Sequence, residues 1–181
     1  MKKITLVLFA VSSIFCSYAL ADIDYGLEVG IRQQSGDVEG LSADSQMGLQ
    51  FGVSANVPMS GALHLHTGML YTQRPLRAKD PLGDNKITMN YLDVPVALMY
   101  KFEEHMGVYA GVVLALNLDK KLDRGVLEDV KSPLIPFIFG ASFKFAPNFG
   151  INLYYEHTSG DVAKNLKDYR AVGANLLITF D

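Results

Sequence analysis

Apolar and polar residues alternate with a period of two in eight successive segments, and no other feature constrains the fold as strongly. In residues 23–32, large apolar side chains hold the odd positions, while acids, glycines and one arginine hold the even positions. Successive side chains of a strand point to opposite faces, so each segment predicts a strand with one apolar face. The remaining segments are 46–57, 63–74, 92–102, 107–117, 135–145, 149–156 and 172–180.

One stretch breaks the phase of this alternation. Ile87, Met89 and Tyr91 are apolar at odd positions, whereas the apolar residues from Leu92 onward hold even positions. The reversal predicts either a bulge near Leu92 or a strand end above a membrane.

The apolar content is distributed over these segments and not concentrated in a long run. Mean hydropathy is +0.16 and 49% of residues are hydrophobic. Beyond the N-terminus the longest apolar run, 107–116, is far shorter than the roughly 18 residues of a spanning helix. A tilted strand crosses a bilayer with about 9–11 residues, and the eight segments are 8 to 12 residues long.

Long and short connections alternate strictly between the segments. Polar stretches at 35–45, 75–86, 119–132 and 158–168 follow the first, third, fifth and seventh segments. The other three connections are the tight turns 58–61, 103–105 and 147–148. Outer-membrane barrels combine long external loops with short periplasmic turns, so the pattern predicts four external loops.

The two faces differ in a way that predicts lipid outside. The polar face is rich in glycine and small residues, which suits a narrow interior, and the apolar face carries aromatic residues near both ends. These girdle residues are Tyr25, Tyr71, Tyr100, Phe102, Phe145, Phe149, Tyr155 and Phe180. We therefore predict an all-β fold, an eight-stranded antiparallel up-and-down transmembrane β-barrel with both termini in the periplasm. A soluble β-sandwich or lipocalin-like barrel, with its apolar faces inward, is the alternative.

The N-terminus predicts a cleavable signal peptide. Lys2 and Lys3 precede an apolar core, and Ala19-Leu20-Ala21 forms a cleavage site. We predict residues 1–21 as the signal peptide and 22–181 as the barrel domain. Cleavage removes the only cysteine, Cys16, and two lysines, so the net charge changes from −3 to −5. This balance gives no support to nucleic-acid binding.

The segment Tyr91–Leu98, which reads YLDVPVAL, resembles the Y-L-[DE]-[IV]-P-x-x-L stretch of small outer-membrane β-barrel proteins of the PorT-like kind. The resemblance implies an eight-stranded barrel of the OmpA/OmpX type and an outer-membrane location, but no known activity. As partner during biogenesis we predict the barrel-assembly machinery. The final strand closes on Phe180, and the terminal Asp181 departs from the usual final aromatic residue. Mixed charges in the long connections predict contact with outer-membrane lipid and lipopolysaccharide.

The inward-facing polar residues predict either a plugged interior or a narrow pore. An eight-stranded barrel has an interior just wide enough for side chains, which favours a plug of paired charges. The residues assigned to this network are Glu28, Arg32, His64, His66, Arg74, Asp93, Lys101, Lys144 and Glu156. His64 and His66 share a strand face, but a metal site usually needs three or four ligands, so we predict no metal and no cofactor.

An enzymatic alternative rests on His157 and Ser159. This pair, two apart on an outward face, resembles the H-x-S element of outer-membrane lipid A deacylases of the PagL type, and Asp161 or Asp168 is a candidate to orient the histidine. Gly160 stands where that family carries asparagine. We predict a non-enzymatic structural or surface-interaction role, adhesion included, with an extracellular protein ligand at the four loops.

Overall fold

A computed structural model describes residues 23–38, 42–80, 83–122, 130–163 and 166–180. The predicted signal peptide and Asp181 lie outside the described residues. The described elements are β1 (Asp24–Val38), β2 (Ser42–Ser60), β3 (Leu63–Asp80), β4 (Gly83–Glu103), β5 (Met106–Leu122), β6 (Phe137–Ala146), β7 (Phe149–Ala163) and β8 (Leu166–Phe180). Within these ranges there is no helix long and apolar enough to cross a membrane.

The eight strands form one closed antiparallel barrel. Each strand pairs with the next, and β8 returns to pair with β1, from Tyr25 opposite Phe180 to Val38 opposite Leu166. Closure leaves no strand edge, so the backbone groups are paired within the wall, as the lipid interior requires. The predicted eight-stranded up-and-down barrel is confirmed.

The wall carries its large apolar side chains on the outside. The odd positions 25–31 of β1 are 43% to 60% exposed, whereas Glu28 and Arg32 between and beside them are 2% and 0% exposed. The alternative of a soluble barrel with its apolar faces inward is therefore wrong for this part of the wall. An outside of this kind is typical of a barrel that meets lipid.

Three of the four predicted external loops are strand over most of their length. β1 and β2 enter the predicted loop 35–45 from both sides, β3 and β4 fill 75–86 except 81–82, and β7 and β8 fill 158–168 except 164–165. The predicted loop 119–132 begins with the last residues of β5. Strand pairing needs only backbone groups, so it continues past the lipid, where the outward face no longer has to be apolar. The sequence pattern therefore ended before the strands did.

The phase reversal in β4 is a change of environment and not a bulge of that strand. Ile87, Met89 and Tyr91 point into the barrel and are 6%, 0% and 0% exposed. A register shift does occur near Leu92, as one of the two predicted alternatives has it, in the pairing of β4 with β5 between Asn90 and Tyr91. The additional residue, however, is Leu118 of β5 and not a residue of β4.

The interior is predominantly apolar at the end of the barrel opposite the short turns, although the side chains of Gln34 and Thr158 are also buried there. Strands that rise above the lipid meet water outside, so burial of apolar surface has to take place inside. Leu134, in the segment between β5 and β6, adds to this layer. Its backbone exchanges two 2.9 Å hydrogen bonds with Ala115, and its side chain is 3% exposed. We call this layer the apolar cap, and its members are Leu76, Ile87, Met89, Tyr91, Leu134, Val162 and Tyr169.

Candidate functional site

Two arginines and two carboxylates meet inside the barrel below the apolar cap. Arg32 of β1 donates from both terminal nitrogens to Glu156 of β7, at 3.2 Å each. Arg74 of β3 donates to the same carboxylate, and to Asp93 of β4 at 2.9 Å. All four residues are at most 2% exposed. The barrel closure thus brings four different strands into one buried network, which we call the charged layer.

The charged layer balances its own charges. A buried charge is costly unless it is paired and hydrogen-bonded, and here two guanidinium groups face two carboxylates. The Arg74 guanidinium carbon also lies 5.1 Å from the centre of the Tyr91 ring, a cation–π distance that joins the layer to the apolar cap. The arrangement thus pairs each of the two guanidinium groups with a carboxylate inside the barrel.

A second layer of amides lies on the side of the short turns. Glu28 accepts one hydrogen bond from Asn152 and one from Asn175, both 2.8 Å long. Asn175 also donates to Gln50 at 2.8 Å, and the Tyr154 hydroxyl donates to the same Gln50 oxygen at 2.9 Å. Both oxygens of the buried Glu28 carboxylate are thereby satisfied. We call this the amide layer.

Sequence reasoning missed the amide layer except for Glu28. Gln50, Asn152, Tyr154 and Asn175 were placed on the correct face by parity, but only charged and histidine side chains were assigned to the network. Inward parity combined with hydrogen-bonding capacity would have identified them, because a polar group inside a narrow barrel has to find a partner.

Two inward tyrosines pack over glycines of the adjacent strand. Tyr109 lies opposite Gly140, and Tyr154 lies opposite Gly173. A Cβ atom built on Gly173 would be 2.2 Å from Tyr154 Cζ, and one on Gly140 would be 2.4 Å from Tyr109 Cζ. The glycines therefore provide the space into which the rings lie.

The two histidines of β3 have different partners. The His66 ring is buried, with Nδ1 2.8 Å from Asn56 Oδ1 and its centre 4.6 Å from the centre of Tyr109. His64 is half-buried, with Nδ1 3.1 Å from the Ala62 carbonyl oxygen. No group of three or more His, Cys, Asp or Glu side chains placed to hold a metal occurs in the described part of the chain.

The remaining predicted network residues lie at the mouth nearest the short turns. Lys101 of β4 forms an ion pair with Asp24 of β1, and both side chains are partly exposed. This ion pair and Lys144 of β6 line one small cavity, close to 20 Å³ in volume. These residues are separate from the charged layer, and Asp24 was not among the predicted network residues.

The predicted enzymatic residues lie on β7 at the other end of the barrel. His157 is half-buried on the outward face, and its ring stacks on Tyr155 with centres 6.5 Å apart and an interplanar angle of 9°. Ser159 and Asp161 belong to the same strand, with Asp161 opposite Lys167, but their side chains lie outside the described part of the structure. Acyl-ester hydrolysis at this strand end stays a prediction.

The predicted girdle aromatics all stand on outward-facing positions. Tyr71 is half-buried because its ring packs on Phe51, with centres 5.0 Å apart. Most of the others lie at the end with the short turns, and Tyr155 lies toward the opposite end. The exposed members are Tyr25, Tyr100, Phe102, Phe145, Phe149, Tyr155 and Phe180, at 41% to 58%.

Comparison with known proteins identifies the family to which this barrel belongs. A family model described as outer membrane protein beta-barrel domain matches residues 20–163. It describes such barrels in general, so the narrower resemblance to PorT-like proteins stays a prediction. A comparison with curated protein sequences found no match.

Several solved barrels share the fold at low sequence identity. The attachment invasion locus protein Ail of Yersinia pestis, in complex with the heparin analogue sucrose octasulfate, has a TM-score of 0.54 at 13% identity, covering 88% of this chain and 99% of that chain. Neisserial surface protein A has a TM-score of 0.52 at 18% identity, covering 87% and 97%. The outer membrane protein AlkL in lipid bilayers has 0.51 at 16%, covering 91% and 93%.

Proposed function

The chain belongs to the family of outer membrane protein beta-barrel domains, and from that premise we propose that it is a closed, non-enzymatic barrel that presents its extracellular hairpins to a protein partner. Its location is the bacterial outer membrane. The short turns then lie in the periplasm and the extended strand ends lie outside the cell.

The packed interior is the observation that carries this proposal. The charged and amide layers surround a cavity close to 20 Å³, lined by Glu28, His66, Asp93 and Glu156 among others. Such a volume holds about one water molecule, whereas ions need a continuous polar path. The apolar cap lies across the interior on the extracellular side of the charges. We therefore expect the barrel to block solutes.

Conductance distinguishes the closed barrel from a narrow pore. The purified protein, reconstituted in a planar bilayer, is expected to give no current steps beyond those of the protein-free bilayer. Reproducible steps that scale with the amount of protein would contradict the closed interior and favour the pore.

The extended strands support the surface-interaction part of the proposal. Along β4, Gly83 lies about 40 Å above Tyr100, from roughly 3.3 Å per residue and a strand tilt of about 40°. The apolar band of such barrels is about 25 Å tall, so the hairpin projects about 15 Å beyond it. On the inward face of this hairpin, the side chains of Leu76 and Ile87 are buried. A stiff projecting wall loses little conformational entropy when it binds a partner.

A shortened hairpin tests this role. Leu76 and Ile87 face each other across β3 and β4, so residues 77–86 can be replaced by Asn-Gly, which closes a two-residue turn without moving the buried pair. The matched control replaces the periplasmic turn residues 104–105 by Asn-Gly. Bacteria that display the shortened hairpin are expected to lose attachment to host-cell or matrix surfaces that bind the wild type, and the control should attach normally. Equal attachment of the shortened variant would refute the role of this hairpin.

The non-enzymatic part is tested on lipid A itself. Expression of the protein is expected to leave the mass of lipid A unchanged. Loss of one acyl chain, abolished by Ser159→Ala, would overturn this part and establish the deacylase.

A further inference from the structure

The outward face of β6, β7, β8, β1 and β2 carries an apolar groove of close to 540 Å³. Ala141 and Ala174 lie in one register row with Leu153 and Ile31, so small side chains form a depression between large ones. The groove opens onto the surface that faces lipid, so an apolar chain is the ligand that its lining accepts.

A polar row closes the extracellular end of this groove. Arg170 of β8 lies opposite His157 of β7 on one side and opposite Ser35 of β1 on the other. A pocket of close to 250 Å³, lined by Arg170, Ser35 and Ser45 among others, shares Gln33, Tyr155 and Val172 with the groove. The two depressions are therefore continuous, one polar and one apolar.

The polar row lies at the height of lipid headgroups. Ser35 and Arg170 each stand ten positions along the strand from the girdle pair Tyr25 and Phe180. At roughly 3.3 Å per residue and a tilt of about 40°, this spacing corresponds to about 25 Å, the height of the apolar band. The exposed Arg170 guanidinium thus lies where the phosphate of an outer-leaflet lipid would be.

We propose that this face binds one lipopolysaccharide molecule through its lipid A part, with a phosphate on Arg170 and an acyl chain in the groove. The cationic side chain supplies charge complementarity, since guanidinium forks pair well with phosphate. Among the described residues, Arg170 takes part in no ion pair, so its charge is available. Ser45 and Gln33, joined by a 3.2 Å hydrogen bond from Gln33 Nε2 to Ser45 Oγ, provide further donors beside the phosphate, whereas the Ser35 hydroxyl donates to the Arg170 carbonyl oxygen.

Native mass spectrometry of the folded barrel with bisphosphoryl lipid A measures the site directly. One lipid A per barrel is expected for the wild type. Arg170→Gln should weaken binding about tenfold or more, the effect of losing one charge-assisted hydrogen bond. Lys121→Gln, which removes an exposed cation from the opposite side of the barrel, is the control and should bind as the wild type does.

The acyl-chain groove has its own matched pair of variants. Ala174→Phe fills the groove and should also lower the affinity about tenfold. Ala55→Phe fills a second lipid-facing depression, close to 600 Å³, that lies near the periplasmic girdle, and should leave binding unchanged. Each variant is first shown to be folded by its heat-modifiable gel mobility. Wild-type affinity of Arg170→Gln or Ala174→Phe would overturn the proposal.

The source of the phosphate is decided by the choice of lipid. Lipid A without its phosphates and phosphatidylglycerol should each bind about tenfold more weakly than bisphosphoryl lipid A. Equal binding of the dephosphorylated form would refute recognition by Arg170, and equal binding of phosphatidylglycerol would refute the glycolipid assignment. The mass of the bound lipid A is read in the same spectra. A lost acyl chain would contradict the non-enzymatic function and leave the binding site intact.

Discussion

Removal of the Glu156 carboxylate from the charged layer should affect Arg32 more than Arg74. Glu156 accepts hydrogen bonds from both Arg32 and Arg74. In Glu156→Gln, Arg74 keeps Asp93 at 2.9 Å, but the nearest carboxylate oxygen to an Arg32 nitrogen is then Asp93 at 3.9 Å. Arg32 becomes a buried cation without a close counter-ion. We expect the free energy of unfolding to fall by about 3–5 kcal/mol.

The same geometry predicts that a second substitution restores most of this loss. Arg32→Met in the Glu156→Gln background leaves Arg74 and Asp93 as one balanced pair and replaces the orphaned cation by an apolar side chain of similar length. A double-mutant cycle should therefore give a coupling energy of at least about 2 kcal/mol between Arg32 and Glu156.

Urea unfolding of the barrel in lipid vesicles provides the measurement, with the folded fraction read from heat-modifiable gel mobility. Asp119→Asn is the control, because Asp119 pairs with Lys121 at 3.8 Å and their side chains are 51% and 76% exposed. Its cost should stay within about 0.5 kcal/mol. The reasoning is refuted if Glu156→Gln costs no more than this control, or if the double variant is less stable than Glu156→Gln alone.

Three further predictions use the same unfolding assay. Gly173→Ala should cost about 1–3 kcal/mol, because its Cβ would be 2.2 Å from Tyr154 Cζ. Tyr154→Leu has a cost of its own, since it removes the hydrogen bond to Gln50, but Gly173→Ala should cost less in the Tyr154→Leu background than in the wild type. An equal cost in both backgrounds would mean that the ring is not the obstacle. Val96→Lys, on a lipid-facing position that is 48% exposed, should cost about 2–4 kcal/mol, and a negligible cost would place this position outside the lipid. Leu134→Ala should cost about 2–5 kcal/mol, and more than Ile135→Ala next to it, because Leu134 is 3% exposed and Ile135 is 62% exposed. Equal costs would show that Leu134 is not part of a packed interior.

The length of the strands shows where sequence reasoning ended. The alternation predicted β6 closely, at 135–145 against the observed Phe137–Ala146. It gave 92–102 for β4, which runs over Gly83–Glu103. Where a strand lies in the lipid, its outward face has to be apolar, so the alternation of apolar and polar residues is visible in the sequence. Beyond the lipid, strand pairing depends on backbone groups alone, and the apolar residues lie on the inward face.

Ile87 and Met89 illustrate the same limit for the interior. The sequence shows that these two residues are out of phase with the apolar residues of 92–102, but only the closed barrel shows that they belong to the apolar cap. The cap also needs Leu134, which comes from a segment that carries no strand pattern of its own. No local signal in the sequence joins these residues, because they meet through the closure of the barrel.

The sequence by itself determined the number and order of the strands, the two faces of the alternating segments and the lipid that surrounds them, because a period of two is a local property of a strand. The tertiary structure decided which inward groups are partners. Arg32 and Glu156 are 124 positions apart in the chain and meet only because the barrel closes in one register. The polar row of Arg170 above its apolar groove has the same origin, since five strands have to be aligned before a guanidinium, two hydroxyl groups and a lipid-sized depression share one face.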